Sequence, residues 1–130
     1  SLKIGDDIGA SLTKARNAKF HRKFFTLLNL CFGYFEPPKQ EWQGVEAVKN
    51  FDVFREQITI LAGYFDVTYN LDGSIKVKAK SISFAKMDDI EFSKLYNDVF
   101  TVLWNKVMRN IKGFTEAEME NVVNQMLSYG

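Results

Sequence analysis

The chain has 130 residues, 17 basic against 16 acidic for a net charge of +1, and 46% of it is hydrophobic. That length fits one domain with a real core, and the charge balance excludes a global pull toward nucleic acid or an anionic membrane, so any electrostatic function must come from local clustering. A single cysteine, Cys31, excludes an internal disulfide and fits a reducing compartment, and no apolar run approaches the ~20 residues that span a bilayer.

Residues 1–13 are short on periodicity, hold Gly5 and Gly9, and carry no signal-peptide pattern. They read as a strand or extended arm. From about Lys14 to Phe35 the pattern is helical: Phe20, Phe24, Leu27, Leu28 and Cys31 recur at steps of three and four, with Lys19, Arg22, Lys23, Thr26 and Asn29 opposite. Gly33 and Pro37-Pro38 stop this helix. Residues 36–44 form a loop carrying Trp42. A second helix is predicted from Val45 to Phe65, with Phe51, Phe54, Ile58, Leu61 and Phe65 on one face.

The period then switches to two. Residues 66–70 and 75–84 read as strands, and Asp72-Gly73 between them as a two-residue hairpin turn. Asp88 with Glu91 makes a capping box for a third helix, whose stripe runs through Phe92, Leu95, Tyr96, Val99, Leu103 and Val107 to a stop at Gly113. Thr115 with Glu118 opens a last helix to about Tyr129, with Phe114 and Met119 placed for a hydrophobic staple. The sum is an α+β fold over 1–130 as a single domain: about four helices packed with a small antiparallel β-hairpin or sheet.

Little in the chain points to catalysis. One His and one Cys cannot build a zinc site, and His21 and Cys31 lie ten residues apart on one helix, about 15 Å along its axis. Neither a cofactor, a metal nor an enzymatic activity is expected. The pairs Asp6-Asp7 and Asp88-Asp89 leave a metal-dependent nuclease as a third reading, against the plainer one of a solvated turn and a helix cap.

Two basic clusters carry the functional signal. Lys14, Arg16, Lys19, His21, Arg22 and Lys23 stand together without an acid, near the end of a helix where the macrodipole disfavours cations. Such a face can follow a phosphate backbone or simply keep an apolar helix soluble. Lys76, Lys78 and Lys80 alternate onto one side of a strand, and the two-residue turn would pair Lys76 with Tyr69 on that same side. A lysine row beside an aromatic suits single-stranded DNA, where bases stack and cations follow the backbone. Protection of a sheet edge is the alternative.

The run Arg16-Asn17-Ala18-Lys19-Phe20-His21-Arg22-Lys23-Phe24-Phe25-Thr26-Leu27-Leu28-Asn29-Leu30, with Asp72-Gly73-Ser74 and Lys80-Ser81-Ile82-Ser83-Phe84-Ala85-Lys86-Met87-Asp88, resembles a family of phage and prophage proteins known only as a domain of unknown function. The resemblance covers nearly the whole chain. Members usually carry additional N-terminal sequence, so it implies a natural chain that begins upstream. It also implies a cytoplasmic place in a bacterial host cell. The stretch from Arg16-Asn17 through the basic helix to Phe-x-Leu-Leu is similar to one helix of the NinB/Orf recombination proteins of lambdoid phages. Those are dimers that bind single-stranded DNA, and by that resemblance Arg16, Asn17, Lys19, Arg22 and Lys23 would face DNA.

The expectation is therefore a non-catalytic, phage-encoded accessory protein that binds single-stranded DNA in recombination or replication, with Lys76, Lys78 and Lys80 extending the track and Tyr69 stacking a base. The alternative is a phage protein that binds and inhibits a host defence or replication complex. No membrane partner is expected. A homodimer is, because Phe24, Phe25, Leu27, Leu28, Cys31, Phe32, Tyr34 and Phe35 make an apolar stripe wider than one neighbouring helix covers.

Overall fold

The computed structural model describes residues 2–129, with side chains for 12–128. Four helices and two small antiparallel hairpins make an α+β fold, as the periodicities predict. Helix α1 runs over Leu2–Tyr34. Residues 2–13 are thus helical rather than a strand or arm. Two glycines weaken a helix by only about 1 kcal/mol each, and the helix following them carries the first turns along.

Two short strands come next, β1 (Glu41–Trp42) and β2 (Val45–Glu46), where the sequence predicted loop and then helix. Gln43 and Gly44 both take positive φ, 51° and 81°, which is the backbone a tight two-residue hairpin demands. Helix α2 is correspondingly shorter than expected, Phe51–Leu61. Asn50 caps it by accepting the Val53 N–H at 3.0 Å. Phe54 and Ile58 are buried as predicted, but Leu61 is exposed and Phe65 belongs to the following strand.

Strands β3 (Phe65–Tyr69) and β4 (Ile75–Ala79) form the second hairpin, docked through β4 on α2. Their register differs from the expected one. The Asn70 C=O accepts the Gly73 N–H at 3.0 Å and the Asn70 N–H donates to the Ser74 C=O at 2.7 Å, which closes a three-residue loop with Gly73 at φ 86°. Tyr69 therefore pairs with Ile75, and Lys76 with Thr68. Because side chains alternate, this one-residue slip moves Tyr69 to the face opposite the lysines. Strand β4 also ends early; Phe84–Lys86 is a single 3-10 turn.

Helix α3 (Asp89–Leu103) opens on the predicted capping box, with Asp88 accepting the Glu91 N–H at 2.8 Å and Glu91 accepting the Asp88 N–H at 3.4 Å. It continues into a π-helical turn, Trp104–Met108, and the chain breaks at Gly113, φ 84°. Helix α4 spans Glu116–Tyr129, its first turn capped by the Thr115 hydroxyl.

The core forms where α1 meets α2, α3, α4 and the 3-10 turn. Phe24, Leu27, Leu28 and Cys31 of α1 pack with Leu95, Val99 and Leu103 of α3 and with Met119 and Val123 of α4. Phe20 stacks on Phe92, ring centroids 4.3 Å apart. Burying each large side chain contributes roughly 1.5–3 kcal/mol. Phe32 and Phe35 meet Phe54 edge-on or tilted, so the apolar surplus at the end of α1 is largely covered within the chain. Among the described residues no helix is long and apolar enough to cross a membrane.

Candidate interaction site

The basic segment of α1 divides into two sets. Arg16 and Asn17 face inward. Arg16 Nη2 donates to the Met87 C=O at 3.0 Å and its Nε to Asn17 Oδ1 at 3.3 Å, while Asn17 Nδ2, buried, donates to the Ala85 C=O at 2.8 Å. Carbonyls that leave a 3-10 turn need partners when covered, and these two side chains supply them. Lys23 is also engaged: its Nζ lies 3.1 Å from Glu120 and 4.6 Å from the Tyr96 ring centroid. Tyr96 donates its hydroxyl to the same carboxylate at 2.7 Å, and burial with that bond raises its pKa well above the ordinary phenol range.

Lys14, Lys19 and Arg22 form the outward set, all exposed. His21 is exposed as well, its ring stacked on Phe25 at 4.5 Å. No carboxylate stands anywhere between residues 12 and 34.

On the second hairpin Lys76 and Lys78 are exposed on the polar face, and Lys80 is held 2.8 Å from Asp66. Asp66 also sits directly across from Lys78. The hairpin rests on α2, whereas residues 14–23 lie against the 3-10 turn, α3 and α4. The two basic sets are thus carried by different parts of the fold.

Apolar exposure is concentrated between residues 42 and 77. Trp42 is 74% exposed, Val48 83%, and Val53 and Leu61 more than half. Next to them is a groove of about 670 Å³ between the 35–50 segment, α2 and the π-helical turn. Phe35, Pro37, Val48, Val53, Leu61 and Val107 line it, with Lys39 and Lys106 at its walls. Lys49 fixes one side by donating to the Phe32 and Phe35 carbonyls, at 2.9 and 3.1 Å, which ties off the C-terminal end of α1. Only Trp42 of this surface stood out in the sequence. The rest comes from α2, the 35–50 segment and the π-helical turn meeting in space, which no local spacing advertises.

Cys31 is buried, and desolvation pushes its thiol up to about 12. Asp88 is occupied as a cap. Among the described residues no group of three or more His, Cys, Asp and Glu could hold a metal, and the Asp6-Asp7 side chains lie outside the described residues.

A family model described as "Protein of unknown function (DUF1367)" matches residues 1–41 and 38–129. The chain belongs to the DUF1367 family. No curated protein and no solved structure matches it. The DUF1367 match takes in both hairpins, the groove and all of the basic residues named above, so these surfaces lie within the family's own domain.

Proposed function

We propose that this DUF1367 chain is a phage-encoded accessory protein that acts by binding, as a homodimer in the host cytoplasm, and that its principal partner is a protein complex of the host. The observation that carries the reading is the exposed apolar surface around Trp42, Val48, Val53 and Leu61, beside a groove of about 670 Å³. Val48, Val53 and Leu61 line the groove itself, and exposed apolar surface of this kind marks protein–protein contact far more often than nucleic-acid contact, whose surfaces are cationic and polar. The phage assignment is supported by the resemblance of residues 16–30, 72–74 and 80–88.

The test compares capture of host proteins on the wild-type chain and on Val53→Glu. A defined host complex retained in stoichiometric amount by the wild type and lost with Val53→Glu is the expected result. Equal retention by both chains would remove the groove from the reading.

Single-stranded DNA is the second reading, and one observation favours it: the outward face of α1 presents Lys14 and Lys19 in a stretch with no acid, while Lys76 and Lys78 add two further cations. Arg16, Asn17 and Lys23 weigh less toward DNA than the resemblance implied, since each is already engaged within the chain. A nuclease, the third reading, would draw on Asp6-Asp7 and Asp88-Asp89, and cleavage abolished by Asp6→Ala would promote it.

A further inference from the structure

We propose that the apolar face of the β3–β4 hairpin is the seam of the homodimer, closed by the same face of a second copy. The inference rests on the homodimer named above and locates its twofold contact. Alternation sorts the hairpin's side chains cleanly. Phe65, Val67, Tyr69, Ile75, Val77 and Ala79 lie on one face, and Asp66, Thr68, Lys76 and Lys78 on the other. A core-facing sheet would bury the first set. Here exposure rises along that face from 43% at Phe65, at the base, to 78% at Tyr69, near the tip. The contact with α2 through β4 leaves the tip half of this face, at Tyr69 and Ile75, open to solvent, and two strands with so much apolar surface in water are marginal.

Area and pattern both favour a second copy. Together with Leu71 at the loop tip, the exposed apolar side chains of this hairpin offer on the order of 700 Å² per protomer, close to the ~800 Å² per partner of a stable interface. The face is uncharged, which suits neither an anion nor a nucleic acid. It is also self-complementary. A twofold axis across the strands stacks two hairpins tip to base, which puts the protomer bodies at opposite ends. Val67 and Val77 then lie over their own symmetry mates. Tyr69 lies over the partner's Phe65, an aromatic pair, and Ile75 over the small Ala79 of the partner subunit. The lysine faces point outward on both sides of the sandwich, about 10 Å of packed side chains apart. Edge-to-edge pairing through β4 would instead bring Lys76 and Lys78 against their copies, which like-charge repulsion disfavours.

Sedimentation of the wild type, Val67→Glu and Lys78→Glu at micromolar concentration tests this, with circular dichroism to confirm that each is folded. The expected result is a dimer for the wild type and Lys78→Glu, and dissociation weakened affinity by on the order of a hundredfold in Val67→Glu, which places two carboxylates on the axis. Val67→Cys adds a measurement that does not depend on the destabilising charge. It should cross-link to a dimer with a short bismaleimide while Thr68→Cys does not, and the buried Cys31 gives no background. A wild type that is monomeric overturns both the seam and the homodimer. A dimer that survives Val67→Glu, or that cross-links only through Thr68→Cys, overturns the seam and leaves the homodimer standing.

Discussion

Asn17 and Arg16 were candidate DNA contacts by sequence and are clasps by structure. The distinction was partly legible: Asn17 precedes Phe20 by three and Phe24 by seven, so it lies on the apolar stripe, where a polar side chain must find a partner. What the spacing cannot supply is the partner, the Ala85 carbonyl, 68 residues away. Asn17→Ala strands that carbonyl and should cost about 1–3 kcal/mol in urea denaturation. Asp88→Ala, which removes a cap that was readable from Asp-x-x-Glu, should cost about 1 kcal/mol. Cys31 gives a pH prediction. Its folded value, about 12, lies above the unfolded 9.0, so its stabilising contribution is complete below pH 9 and is lost as pH rises toward 12. Tyr64 and Tyr96 shift in the same direction, each chiefly through burial. Stability should therefore fall on the alkaline side by up to about tenfold in folding constant per pH unit for each such group. Denaturation midpoints of Cys31→Ala, which lacks one of the three, should show a shallower decline.

Hairpins show how a single residue's conformation decides an element's meaning. Asp72-Gly73 correctly signalled a turn between strands, and the alternation on either side is as predicted. The loop closes on three residues because Asp72 Oδ1 accepts both the N–H and the hydroxyl of Ser74, at 2.9 and 2.6 Å, drawing Ser74 into the turn. Those same bonds hold the Asp72 carboxyl below its ordinary range. Gly73→Ala would force a side chain into φ 86° and should cost about 1–3 kcal/mol, read as a lower thermal midpoint. The helices were legible because their stripes are long and their caps explicit. Strands β1 and β2 were not, since two residues each carry no periodicity and Gln43 is no ordinary turn former. The helical course of residues 2–13 was hidden for a different reason: it extends an established helix rather than starting one.

Across the whole molecule, cations are spread over different elements rather than gathered into one groove, and this sets the expected strength of any DNA binding. With Lys14, Lys19, Lys76 and Lys78 engaging about four phosphates, the logarithmic salt slope on single-stranded DNA should be roughly −3. Lys14→Glu with Lys19→Glu should weaken it tenfold or more in a fluorescence titration, and undetectable binding at low salt would end the DNA reading. The core also has a temporal consequence. Among the described residues, the forward part of α1 is tied to segments far down the chain: Arg16 reaches Met87, 71 positions later, and Phe20 waits for Phe92. A ribosome adding about 5–20 residues per second needs roughly 4–14 s to make that stretch. Throughout that interval the nascent helix carries Phe20, Phe24 and Leu27 uncovered. The newborn protein should therefore depend on holding chaperones more than its size suggests, and its yield should rise when translation is faster over residues 35–95.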